Sequence, residues 1–183
     1  MQELMRREII APLVETQNER PKMDVRFLVP FIKAAAEVLT TEVGGPIQRG
    51  EISLHRSGYT TNEVSVILTI VGRLQGVVVY GMSQATALAV VSQMIGQPFQ
   101  EMDELAQSGV AEIGNVITGR ASVLLAEAGY TTNISVPTLV LGKAMISVLD
   151  FQRLVVPILF KHGQLEVHLA LREVSDNGAA SAL

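Results

Sequence analysis

Two nine-residue runs rich in Val and Ile, Glu63–Val71 and Leu74–Met82, are separated only by Gly72-Arg73. Two residues cannot carry the crossover that parallel strands need, so the runs must fold back as an antiparallel hairpin. A hairpin this apolar cannot stand alone in water, and the rest of the chain has to cover it. More strand-like pieces lie on either side. Glu51–Arg56 alternates Ile52 and Leu54 with Ser53 and His55, the period of a half-buried strand. Ile134–Leu141, Ala144–Leu149, Leu154–Phe160 and Leu165–Leu171 follow later, with Lys161-His162-Gly163-Gln164 as a turn.

Three segments read as helices. From Asp24 to Val43, Val25, Leu28, Ile32, Ala35 and Leu39 recur at three- and four-residue intervals. Pro30 either opens this helix at its first position or kinks it, and Gly44-Gly45-Pro46 ends it. Ser83 caps a short helix running through Met94, closed by Gly96 and barred from continuing by Pro98. The longest runs from about Asp103 to Ala128 and stops at Gly129. Helix, strands, two helices, strands is the order of an α+β domain, with helices laid on a mostly antiparallel β-sheet. Residues 23–173 form this domain. Met1–Lys22 is an extension outside the core, flexible or helical, and residues 174–183 are a fraying tail. The pentapeptide GYTTN occurs at Gly58–Asn62 and again at Gly129–Asn133, at places that are not equivalent, and reads as local turn chemistry.

The chain has 183 residues, enough for one full core without staples. It has no cysteine, which removes disulfides, thiolate metal sites and thiol nucleophiles together. With 14 Lys and Arg against 18 Asp and Glu and no basic run, no nucleic-acid surface is expected. The apolar stretches are strand-length, far below the roughly 18–20 residues of a spanning helix, and Met1–Lys22 lacks the apolar core of a signal peptide. No membrane contact is expected, and a cytoplasmic location is the default. Charged residues make up only 17% of the chain, which suits a surface partly covered by another subunit.

Chemistry concentrates on the long helix. At about 100° per residue, Val110, Ile113, Val116, Ile117 and Leu124 share one side and face the core. Ser108, Glu112, Asn115, Gly119, Ser122 and Ala126 form the opposite stripe, so an acid and a carboxamide stand one turn apart on an open face. The wet side of an amphipathic helix would look much the same. Gly109, Gly114 and Gly119 argue for more, because each costs about 1 kcal/mol relative to Ala and is tolerated where something must approach the backbone. Arg120 and Glu127 fall toward the side assigned to the core, explained only by snorkelling or a bend.

Other candidates fall away. Gly114–Ala121 has P-loop glycine spacing, but Arg120 stands for the required Lys and Ala121 for the Ser/Thr, and the segment follows helix. His55 and His168 sit on polar strand faces and His162 in a turn, so a solvated strand face is the reading for His168.

Ser108-Gly-Val-Ala-Glu112-Ile-Gly-Asn115 resembles the [D/S]-x3-E-x2-N helix motif of the CheC/CheX/FliY chemotaxis phosphatases. Gly119, the Pro137-Thr138 strand of Ile134–Gly142, the Gly72–Met82 hairpin and the short helix ending in Gly96 match in order. The resemblance covers about Met23 to Glu173 and is closest to CheX-type members. It implies a pseudo-two-fold α+β domain and a phosphatase for the phosphoaspartate of a CheY-like response regulator. Asn115 would orient the attacking water, and Glu112 would pair with the receiver's lysine. Ser108 and Gly119 would support the site or dock the partner. The chain would hold no cofactor of its own, since the magnesium belongs to the phosphorylated receiver. Some relatives carry a second centre on the first helix. Here that helix offers Lys33-x3-Glu37-x2-Thr40, and Thr lacks the carboxamide, so one working centre and a CheX-like homodimer are expected. The alternative is a non-catalytic receiver-binding adaptor or flagellar-switch-like module; a small-molecule enzyme comes third.

Overall fold

The computed structural model describes residues 24–56, 58–146 and 152–174. The expected extension 1–22, all but the first residue of the tail 174–183, and Ser147–Leu149 of the expected strand Ala144–Leu149 lie outside the described residues. Asp24 accepts a hydrogen bond from the Arg26 amide (2.8 Å) and caps a single 3-10 turn, Val25–Phe27, that runs into α1, Leu28–Glu42. Pro30 is therefore the third residue of α1, still in the first turn, where backbone N–H groups lack intrahelical partners. Gly44 and Gly45 then take positive φ and end the helix.

The strands β1 (Gln48–Arg49), β2 (Ser53–His55) and β3 (Tyr59–Thr60) are short. The hairpin β4 (Val64–Gly72) and β5 (Leu74–Met82) turns at Gly72-Arg73 as expected. Then come α2 (Gln84–Ile95), capped by Ser83 and closed by left-handed Gly96, and α3 (Glu104–Glu127). The chain continues through β6 (Thr132–Ile134), β7 (Thr138–Leu141), β8 (Met145–Ile146), β9 (Arg153–Phe160) and β10 (Gly163–Glu173).

Apart from α2, the chain runs the same course twice: a helix, two short strands, a two-residue strand, a long hairpin. Three pairs of counterparts meet across the two halves. β5 pairs with β10, β3 with β8, and α1 packs on α3. β1 and β2 both line β9, while β6 and β7 both line β4, giving the antiparallel order β1-β9-β10-β5-β4-β6. This exchange is the pseudo-two-fold. The GYTTN copies lead into β3 and β6, which are not counterparts, so the repeat of letters does not trace the repeat of structure.

The expected strand Ile134–Leu141 breaks into β6 and β7. At the break the Ser135 hydroxyl accepts from the Thr69 amide (3.0 Å), taking the place of a backbone carbonyl, and Pro137 has no N–H to offer. The expected half-buried strand Glu51–Arg56 shrinks to β2, an edge strand whose three side chains are all exposed, Leu54 included.

Helices cover one face of the sheet, closing over Phe31, Leu39, Leu68, Ile70, Tyr80, Ile117, Leu125 and Ile158. The other face carries a correction. His168 lies in the interior, 4% exposed, and not on a solvated strand face. Tyr59 from β3 covers it, ring centroids 4.3 Å apart, and Arg153 lies 4.8 Å from the Tyr59 ring centroid. The Glu166 carboxylate accepts from His168 Nε2 (3.0 Å), Gln164 Nε2 (2.9 Å) and Asn62 Nδ2 (3.3 Å). The His168 hydrogen bond holds the Glu166 carboxyl below the usual range, while burial pushes His168 below the ordinary imidazole value. Among the described residues no helix is long and apolar enough to cross a membrane.

Candidate active site on helix α3

Asp103 fixes the start of α3 by accepting from the Ala106 amide (2.8 Å), and Gln107 Nε2 donates to the Met102 carbonyl (2.7 Å). The buried arc consists of Ala106, Gly109, Val110, Ile113, Gly114, Ile117, Thr118, Ala121 and Leu125. It is turned from the expected one. Val116 is 41% exposed and Leu124 half-buried, while Leu125 occupies the interior. The cause is close packing of small residues. A Cβ on Gly114 would stand 2.6 Å from Val66 Cγ1, and one on Gly109 would stand 3.1 Å from Val91 Cγ1. These two glycines admit the sheet and α2, not a visiting molecule. Gly119 differs, because nothing lies within 4 Å of where its Cβ would be.

Arg120 and Glu127 are both exposed. Arg120 reaches across to α1, where its Nε donates to Glu37 Oε2 at 2.7 Å. That hydrogen bond holds the Glu37 carboxyl below its usual range. The acid of the would-be second centre is thus engaged, beside a threonine in place of the amide. Eight residues beyond Glu37 is Gly45, past the end of α1, so Glu112 has no reciprocal arginine.

Ser108, Glu112, Asn115 and Gly119 come together on one face of α3. Glu112 is exposed and Asn115 half-buried, and Asn115 Nδ2 donates to Glu112 Oε2 at 3.3 Å. Ser108 donates to the Glu104 carbonyl one turn back (2.9 Å), so its hydroxyl serves its own helix and leaves Glu112 alone. Among the described residues Glu112 makes no ion pair and no cluster of three acids or histidines could hold a metal. An acid and an amide, side by side and open to solvent, can grip a cation and position a water.

The family model for chemotaxis phosphatase CheX matches residues 64–159, more than half of the chain. The CheY-P phosphatase CheX of Thermotoga maritima is 28% identical over 152 residues, spanning 82% of this chain and 98% of its own length. A CheC-like superfamily protein from Shewanella sp. PV-4 superposes with a TM-score of 0.73 at 25% identity, covering 82% of this chain and 99% of that one. The CheX–CheY–BeF3–Mg complex from Borrelia burgdorferi gives a TM-score of 0.69 at 28% identity, with 82% and 100% covered.

Proposed function

This chain belongs to the CheX family of chemotaxis phosphatases and is a response-regulator phosphatase; we propose that Asn115 and Glu112 are the residues that act. The substrate in this reading is the phosphoaspartate of a CheY-like receiver. The magnesium is the receiver's, as the Borrelia burgdorferi complex of CheX, CheY, BeF3 and Mg suggests. Hydrolysis of an acyl phosphate asks for little covalent chemistry from the protein and much positioning. The Asn115 carbonyl accepts a hydrogen from the attacking water and its NH2 addresses a phosphoryl oxygen. Glu112, free of any arginine, takes the receiver's lysine and sets the register of the two proteins. The observation that carries the reading is this exposed acid–amide pair on α3. A homodimer, supported by the charge-poor composition, and a cytoplasmic location are part of the same reading.

The test is turnover. Substoichiometric protein added to a phosphorylated receiver with magnesium should release many equivalents of phosphate per equivalent of protein. Release at the receiver's own rate, with stable binding, would instead support the adaptor. The same assay examines the single centre. Arg120→Ala frees Glu37 but leaves Thr40, so kcat should stay within about twofold of wild type, since an exposed ion pair contributes little to the fold. A large loss would mean that α1 takes part.

Gly119 gives an outcome of opposite signs. Its Cβ position is open and its φ is helical, so Gly119→Ala should stabilise the free protein by about 0.5–1 kcal/mol. The added methyl stands beside Asn115 on the docking face, so the same change should raise KM. Thermal unfolding and the phosphate assay read the two effects separately, and an unchanged KM would remove Gly119 from the interface.

A further inference from the structure

Directly beneath Asn115, α3 is tied to the sheet by two buried hydroxyls. Tyr80, on β5, and Thr118 are both 0% exposed. The Tyr80 hydroxyl lies 2.9 Å from Thr118 Oγ1, and Thr118 Oγ1 donates to the Gly114 carbonyl at 2.7 Å. A threonine hydroxyl has one hydrogen. With that hydrogen on the Gly114 carbonyl, Tyr80 must be the donor to Thr118, and the two bonds run head to tail. Burial pushes the Tyr80 phenol far above its ordinary value, so it keeps the proton it donates. Bonds in such a chain polarise and strengthen one another.

The last acceptor matters most. The Gly114 carbonyl belongs to the same planar peptide unit as the backbone nitrogen of Asn115. Holding that plane fixes the direction in which the Asn115 side chain leaves the helix. Gly114 brings the helix onto Val66 and within 3.3 Å of the Tyr80 ring at its Cβ position, so packing and hydrogen bonds act at one point. We infer that Tyr80 and Thr118 are positioning residues for hydrolysis, setting the aim of Asn115 through the Gly114–Asn115 peptide while touching neither substrate nor partner. This rests on the reading of Asn115 given above.

The experiment compares wild type, Tyr80→Phe, Thr118→Val and the double variant on a phosphorylated receiver, with kcat and KM resolved. A small misdirection of a positioning group costs rate more than binding, so each single variant should lose about 10-fold in kcat. KM should stay within about twofold, because the docking face is untouched. Cutting either bond cuts the same chain, so the double variant should fall little below the singles. Thr118→Ser, which keeps the hydroxyl, should restore most of the kcat and covers the case in which Thr118→Val fails to fold. A wild-type kcat in Tyr80→Phe, whatever its melting temperature, would overturn the inference and leave the phosphatase reading intact. An inactive wild type would instead sink the phosphatase reading.

Discussion

Asn115→Ala is expected to fold like the wild type and to lose about 10²- to 10³-fold in kcat, the usual consequence of removing one aimed polar group from a site that works by orientation. The side chain is half-buried, and the hydrogen bond it forms on this chain is a long one to a neighbouring exposed acid, so little of the fold depends on it. In the proposed reading its loss removes the acceptor for the attacking water and the donor to the phosphoryl oxygen at once. Glu112→Ala should behave differently. In the proposed reading the lysine it meets belongs to the partner, so the first effect is a KM raised by about 10-fold or more. Circular dichroism checks that both variants fold, and initial rates of phosphate release across receiver concentrations separate the two parameters. Equal losses in kcat for the two variants would mean that Glu112 also acts in the chemical step.

Gly76→Val is expected to cost the fold about 3–5 kcal/mol, through strained backbone and a forced overlap. Gly76 sits inside β5 with φ +151°, between Ile70 on β4 and Leu171 on β10. An added Cβ would run into the Ala170 carbonyl oxygen and stand 3.0 Å from Leu171 Cα, and backbone in a central ladder cannot move aside. The pair β5–β10 joins the two halves of the molecule, so the damage falls on the whole sheet. Against a total stability of roughly 5–15 kcal/mol, most of the variant should unfold at modest temperature or denaturant. Urea titration reads this directly. A wild-type midpoint would show that the crossing at Gly76 is looser than described.

Local chemistry was legible and long-range pairing was not. The Gly72-Arg73 turn, the Ser83 cap and the Gly96 stop depend on neighbours in sequence, and all three stand as read. The acid–amide pair was equally visible, since two residues one turn apart share a face whatever packs behind them. The buried arc of α3 went astray because the wheel weighed Val, Ile and Leu. The positions nearest the sheet, Gly114, Thr118 and Ala121, are small, and hydropathy gives them little credit. Gly109, Gly114 and Gly119 together suggest room for a visitor, whereas the first two admit α2 and the sheet. His168 went astray for another reason. Alternation along β10 marks it as facing away from the helices, and the Tyr59 ring that covers it there comes from β3, more than a hundred residues earlier. The exchange of edge strands between halves likewise leaves no mark in any short window.

The account stands most directly on the lifetime of the receiver's phosphoaspartate under saturating protein, followed in a single turnover with magnesium present. Wild type should shorten that lifetime by two orders of magnitude or more (about 10²-fold), while Asn115→Ala, bound just as fully, should leave it near the value of the receiver alone. A lifetime shortened equally by the bound variant would contradict the central claim, because the water would then be aimed by something other than Asn115.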